Sequence, residues 1–151
     1  DMGRTAMGVK SVTLREGDSV VGFDIIKPET DVLVISENGY GKRTSVDEYK
    51  IQKRGGIGIK TLHVTEKTGG MSSLDIVDGT EDIMIINDAG VIIRTSVGEI
   101  SQYGRDTQGV KLMNLGEDTL VASVAIVPPE EEEEDSCACE QPEEQQPETE
   151  E

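Results

Sequence analysis

Two nineteen-residue stretches that align at an offset of 51 residues predict an all-β fold of propeller-like blades, each with four antiparallel strands. The first, DVLVISENGYGKRTSVDEY, starts at Asp31; the second, DIMIINDAGVIIRTSVGEI, starts at Asp82. Both carry Asp, four apolar residues, a polar pair, x-Gly and then Arg-Thr-Ser-Val. The match continues from RGGIGIK (54–60) to RDTQGVK (105–111), and from SLDIV (73–77) to SVAIV (123–127) with one residue deleted. RTAMGVK (4–10) is a third copy of R-x-x-x-G-[VI]-K, and FDII (23–26) matches LDIV. The second observation is that the apolar runs are short, β-branched and bounded by turn residues. A β-sandwich of duplicated hairpins is the alternative, but sandwiches rarely keep so exact a period.

Each element follows from local pattern. DVLVIS (31–36) reads as a strand, and Asn38-Gly39 after it is the strongest short hairpin signal. YGKRTSV (40–46) is the returning strand, GIGIKTLHV (56–64) the third, and MSSLDIV (71–77) the fourth after the turn EKTGG. The second repeat supplies DIMIIN, GVIIRTSV, QGVKLMNL and TLVASVAIV. Only DEY and GEI suggest a helical turn. The chain therefore divides into the second half of a blade (1–30), a complete blade (31–81), a final blade (82–129) and a tail (130–151). Two and a half blades do not close a ring of about 4–8. The expectation is a fragment of a larger disc, or a chain that assembles with others.

Charge is unevenly placed. The formal net charge is −17, yet 12 of the 31 acidic residues and no basic ones lie in the tail from Glu130. In 1–129, 19 acidic residues face all 14 Lys and Arg. Between Lys42 and Lys60 six cations oppose only Asp47 and Glu48, a local basic cluster that a partner would feel. The tail has no large aliphatic or aromatic residue and is expected to be disordered. Its Cys137 and Cys139 form a lone C-x-C, a weak metal site that reads as free thiols, and no disulfide framework exists, which suits a reducing cytosol. No apolar run approaches the ~18 residues of a membrane span.

Enzyme motifs fail on their geometry. GYGKRT (39–44) lacks the Ser or Thr and the first Gly of a phosphate-binding P-loop, and no helix follows RGGIG as a dinucleotide fingerprint requires. His63 is the single histidine and reads as a strand residue; Tyr40, Tyr49 and Tyr103 read as packing. No nucleophilic, zinc or paired-carboxylate constellation assembles. The repeated cations are more informative: Arg4, Arg54 and Arg105 share one repeat position, Lys10, Lys60 and Lys111 another, Arg43 and Arg94 a third. In a radial array such positions recur on equivalent surfaces, which suits a polyanion bound through its phosphates. The competing reading is solvated residues, or partners for Asp82 and its like. Glycines at 55, 56 and 58 favour close approach of a phosphate to backbone N–H groups.

Gln52-Lys53-Arg54-Gly55-Gly56-Ile57-Gly58 resembles the basic Q-R-R-G-G-[KR]-G box of the C-terminal domain of DNA gyrase A proteins. GYGKRT, DEY, GIK, GVIIRTSVGEIS and GRDTQGVKL look like that domain's last blades, so the resemblance covers roughly residues 1–128. Two departures stand out: Ile57 replaces a usually basic residue, and the box lies in the penultimate repeat although the family's defining box is in its first blade.

The resemblance implies a β-pinwheel, a disc whose blades exchange strands. It implies double-stranded DNA wrapped on a basic rim so that a type IIA topoisomerase introduces negative supercoils. Lys53 and Arg54, with the N–H groups of Gly55 and Gly56, would grip phosphate. Lys42, Arg43 and Lys60 would extend the track, Arg94, Arg105 and Lys111 continue it on the next blade, and Arg4 and Lys10 on the preceding one. The tail would compete for the rim or simply keep the chain soluble. Partners implied are the rest of gyrase A and gyrase B in an A2B2 enzyme in the bacterial cytoplasm, associated with the nucleoid. ATP and Mg would belong to the whole enzyme; no catalytic residue and no cofactor is expected in this stretch. The alternatives are the C-terminal domain of the equivalent topoisomerase IV protein, the same fold without a proper box, and a propeller-like module for protein interaction.

Overall fold

The computed structural model describes residues 3–116 and 118–129; the acidic tail and its two cysteines lie outside the described residues. Among the described residues seven strands form: β1 (Asp31–Ser36), β2 (Tyr40–Ser45), β3 (Met71–Val77), β4 (Asp82–Asn87), β5 (Ile92–Ser96), β6 (Val110–Lys111) and β7 (Val121–Val127). The all-β expectation holds. DEY and GEI contribute to single 3-10 turns, Val46–Glu48 and Val97–Glu99, each opened by a serine (Ser45, Ser96) whose hydroxyl accepts a backbone N–H. Among the described residues no helix is long and apolar enough to cross a membrane.

The strands build two antiparallel sheets, ordered β3-β1-β2-β6 and β5-β4-β7. The repeat is visible in register. Asp31 pairs with Ser45 and Val77, and Asp82 with Ser96 and Val127. The sheets differ in their outermost member. β6 belongs to the second repeat but completes the first sheet, with Tyr40 opposite Lys111 and Gly41 opposite Val110.

That exchange explains a departure from the sequence reading. GIGIKTLHV (56–64) is not a strand; among the described residues its only bridge is Gly56 to Val12. Its copy in the second repeat becomes β6 because it borrows the edge of β2, and no such edge is offered to 56–60 among the described residues. FDII (23–26) forms no strand either, and Phe23 is 90% exposed. In the complete repeats the equivalent stretch pairs with its own repeat's first strand. Here Asp24 meets β3 instead, its carboxylate accepting the backbone N–H groups of Ile25 at 2.7 Å and Ile76 at 3.1 Å. These bonds hold its pKa below the ordinary aspartate value.

The core lies between the sheets. Leu33, Ile35 and Val77 of the first pack against Ile83, Ile85, Val97 and Val121 of the second. The opposite face of β1 buries Val32 and Val34 with Leu62. Since Ile83 and Ile85 are the copies of Val32 and Val34, one face of each repeat meets the other face of the next, as in a radial stack. Each fully buried aliphatic side chain contributes about 1.5–3 kcal/mol.

A buried cation holds the repeats together at their edge. Lys42 is 0% exposed, and its ammonium donates to the carbonyls of Gly104 (2.6 Å) and Arg105 (2.5 Å) and to Thr107 Oγ1 (3.0 Å). Burial lowers its pKa, while the charges of Glu48 and Asp106 act in the opposite direction. Beside it Gly109, at φ 75°, crosses so close to Gly41 that a Cβ would lie 2.5 Å from the Gly41 carbonyl oxygen. Lys42→Met removes the ammonium and strands two carbonyls. It should cost about 2–4 kcal/mol, read as a lower urea midpoint at unchanged slope. An unchanged midpoint would mean that Lys42 does not fasten the joint.

Candidate nucleic-acid interface

The Lys-Arg-Gly-Gly loop is a turn fastened to the preceding segment. Gly55 N–H donates to the Ser11 carbonyl at 2.7 Å, Thr13 N–H to the Gly56 carbonyl at 2.8 Å, and Thr13 Oγ1 to the Gly55 carbonyl at 2.7 Å. The same joint recurs one repeat later, where His63 N–H donates to the Thr107 carbonyl at 3.1 Å and the His63 ring meets Asp106 at 3.2 Å. Gly55 and Gly58 have φ of 75° and 77°, which side chains with a Cβ rarely adopt. The expectation that the Gly55 N–H cradles phosphate is therefore corrected, because that proton is spent on Ser11. What the turn presents outward is the side chains of Gln52, Lys53 and Arg54; Gly56 and Gly58 lie at the surface beside them, with Gly55 half-buried.

The structure separates the predicted cations into two kinds. Lys42 cannot join a rim, being buried on carbonyls. Arg43 is mostly engaged as well. Its Nε donates to the Ile100 carbonyl at 2.8 Å and its guanidinium lies 3.4 Å from Asp31. Arg94, its copy, pairs with Asp82 at 2.6 Å. The recurrence of Arg43 and Arg94 thus follows the recurrence of Asp31 and Asp82, as a cross-strand pair in each blade. Arg105 is half-buried over the Tyr49 ring at 6.0 Å, with Nη1 3.5 Å from the Lys60 carbonyl.

Lys53, Arg54, Lys60, Lys111, Arg4 and Lys10 are exposed. Lys60 is joined by a residue that the repeat pattern did not single out, Arg15. The two line adjoining clefts of about 240 and 290 Å³, the first with Gly58 and the second with His63 and Asp106. Arg15 has no matching basic residue in the later repeats, which carry Thr65 and Gly116 nearby, so recurrence could not reveal it. Lys10 touches the loop through its carbonyl, 3.9 Å from the Cβ position of Gly55. Lys111 stands apart on a cleft of about 380 Å³ with Tyr40 and Lys67, whose ammonium lies 5.3 Å from the Tyr40 ring. Arg4 lines none of these clefts.

A stack of repeated sheets in which one repeat lends a strand to the sheet before it, with cations on its connecting turns, is a propeller-like repeat domain. A family model described as "DNA gyrase C-terminal domain, beta-propeller" matches residues 1–27, 30–78 and 81–128, and the chain belongs to that family. The A subunit of DNA gyrase from Staphylococcus aureus (strain MRSA252) is 54% identical over 128 residues, covering 83% of this chain and 14% of that protein. The chain thus spans about a seventh of the length of this curated relative. A solved structure of a DNA gyrase A C-terminal domain aligns with a TM-score of 0.61 at 28% identity, over 64% of this chain and 33% of that one. The C-terminal domain of a DNA topoisomerase IV aligns with a TM-score of 0.74 over 80% of this chain and 38% of that one, at 24% identity, a likeness of fold.

Gly55→Val tests the fastening of the loop. The positive φ should make it cost about 1–3 kcal/mol locally. Hydrogen exchange at the Thr13 amide should accelerate while β1 amides stay protected; unchanged Thr13 exchange would show that the loop is held by other means.

Proposed function

We propose that the chain is a DNA-binding and wrapping region of a DNA gyrase A protein, bending duplex DNA over the exposed cations around 53–60. The observation that carries this reading is the Lys53-Arg54 turn. Its backbone is fastened inward, and its two charges stand in solvent with no ion pair among the described residues. Contacts of this kind read phosphates and not bases. Bending a 20–30 bp site costs about 1–6 kcal/mol, and distributed ionic contacts offset it. Lys60, Arg15 and Arg105 lie beside one another next to the loop, while Lys10 approaches it from the preceding segment.

Wrapping of one hand would present a DNA segment to the cleavage machinery of the whole enzyme, so that strand passage introduces negative supercoils. ATP-driven passage, with Mg, is assigned to the remainder of an A2B2 assembly in the bacterial cytoplasm. The chain's own part is to bind and to bend.

Binding to duplex DNA should weaken steeply with salt and show little sequence preference. Lys53→Ala with Arg54→Ala should flatten the log K against log salt slope by about 2, whereas Lys42→Met should leave the slope of the folded protein unchanged. Relaxed circles closed by a nicking-closing enzyme in the presence of the protein should acquire a linking difference of one sign. Absence of duplex binding at low salt would overturn the reading; binding without a linking difference would reduce it to attachment without wrapping.

A further inference from the structure

The chain's single histidine stands at the joint between its two complete repeats. His63 N–H donates to the Thr107 carbonyl at 3.1 Å, and its ring Nδ1 lies 3.2 Å from Asp106 Oδ1, with both side chains half-exposed. The joint before it is built alike but without charge. There the copies of His63 and Asp106 are Thr13 and Gly55, joined from the Thr13 hydroxyl to the Gly55 carbonyl at 2.7 Å. The third copy of His63, Asn114, is again neutral. One position of the repeat has thus acquired a histidine, the side chain whose ordinary titration falls between pH 5 and 8.

Around it the charges are evenly matched. The cleft of about 290 Å³ that His63 lines also holds Lys60 and Asp106, with Arg15 from the preceding segment; Arg15 and Lys60 share the adjoining cleft with Asp18. Two cations face two carboxylates, so a proton on His63 leaves one positive charge in excess, the charge that one phosphodiester neutralises. The other charged groups across the joint are engaged. Arg105 lies over Tyr49 with its backbone N–H on Glu48, and the Lys42 ammonium is bonded to Thr107 Oγ1. Lys111, the copy of Lys60, stays exposed although its segment is paired with β2, so exposure belongs to the position and not to a free edge.

Hydrogen-bond chemistry sets the same requirement. A carboxylate only accepts, so the Nδ1 that faces Asp106 carries a proton, and in the neutral ring Nε2 presents a lone pair. Nε2 has no hydrogen bond among the described residues. Phosphate oxygens are acceptors as well, so Nε2 meets one only after taking a proton from solvent. We propose that this cleft seats a backbone phosphate of bound duplex DNA and that His63 is protonated when it does, so that binding takes up a proton. The proposal rests on the DNA-binding reading and adds to it a site at which affinity depends on pH. Lys60 and Arg15 attract the phosphate, and charged His63 donates to it from Nε2 while Nδ1–H stays on Asp106.

A single histidine makes the test direct. Its Hε1 signal is followed by proton NMR of the 151-residue chain between pH 5 and 8, free and saturated with a short duplex, and the titration curve should move to higher pH in the complex. Duplex affinity at constant ionic strength should fall at least about threefold from pH 6 to pH 7.5. His63→Gln should flatten that profile at the weaker level and His63→Arg at the stronger one, with circular dichroism unchanged in both. A histidine needed only for the fold would not sort the two variants this way. Binding with an unmoved histidine signal, or a profile that His63→Gln leaves as it was, overturns the proton coupling alone. No duplex binding at any pH overturns the DNA-binding reading together with it.

Discussion

The structure depends on one crossing, where the second repeat's Gly109 passes over Gly41 and Lys42 grips the loop beyond it. Two glycines allow the backbones to meet there, and one buried ammonium satisfies two carbonyls and a hydroxyl at once. Without that contact β6 has no partner, and the repeats are left with their apolar faces and scattered bonds such as Val121 N–H to the Glu37 carbonyl and Arg43 Nε to the Ile100 carbonyl. With it, the first repeat's sheet is completed by the second. The joint has directionality as well as strength: a repeat offers an edge forward and a strand backward, and the faces of the sheets follow the same rule. A stack of this kind can be extended at either end without changing its geometry.

Charge in this molecule serves two purposes that composition alone does not separate. Lys42 and Arg43 are committed inward, to carbonyls and to the aspartate that opens β1, while Arg94 lies at the surface in a pair with the aspartate that opens β4. Lys53 and Arg54 lie at a turn that is anchored through its backbone, and Lys60 follows it, all three with side chains left to solvent. The glycines of the loop belong with the anchoring. Their value is the turn and the close seat on residues 11–13, so that the charges are displayed from a fixed base. Side chains held this way lose less freedom on meeting a polyanion than they would from a loose loop.

Much of the fold was legible because the repeat imposes it. The hairpins at Asp31 and Asp82, the returning strands after Asn38-Gly39 and Ala89-Gly90, and the helical turns at DEY and GEI all follow from local pattern. GIGIKTLHV was misread because a strand needs an edge, and whether one exists is decided by a different repeat. Lys42 was misread because nothing local distinguishes a cation that points at a neighbouring loop from one that points at water. Its copy, Ile93, was the available signal: a position that alternates between lysine and isoleucine faces the interior. Arg43 and Arg94 carried a similar hint, since each follows an aspartate by twelve positions. Arg15 was invisible to recurrence and emerged only from its place beside Lys60.

The division of cations into fasteners and displayed charges is tested most directly by lysine acylation footprinting, with and without bound duplex DNA. Lys42 should stay unreactive in both states, while Lys53 and Lys60 should react freely in the unbound protein and become protected by DNA. A reactive Lys42 in the folded chain, or Lys53 and Lys60 that react equally well under saturating DNA, would contradict that division.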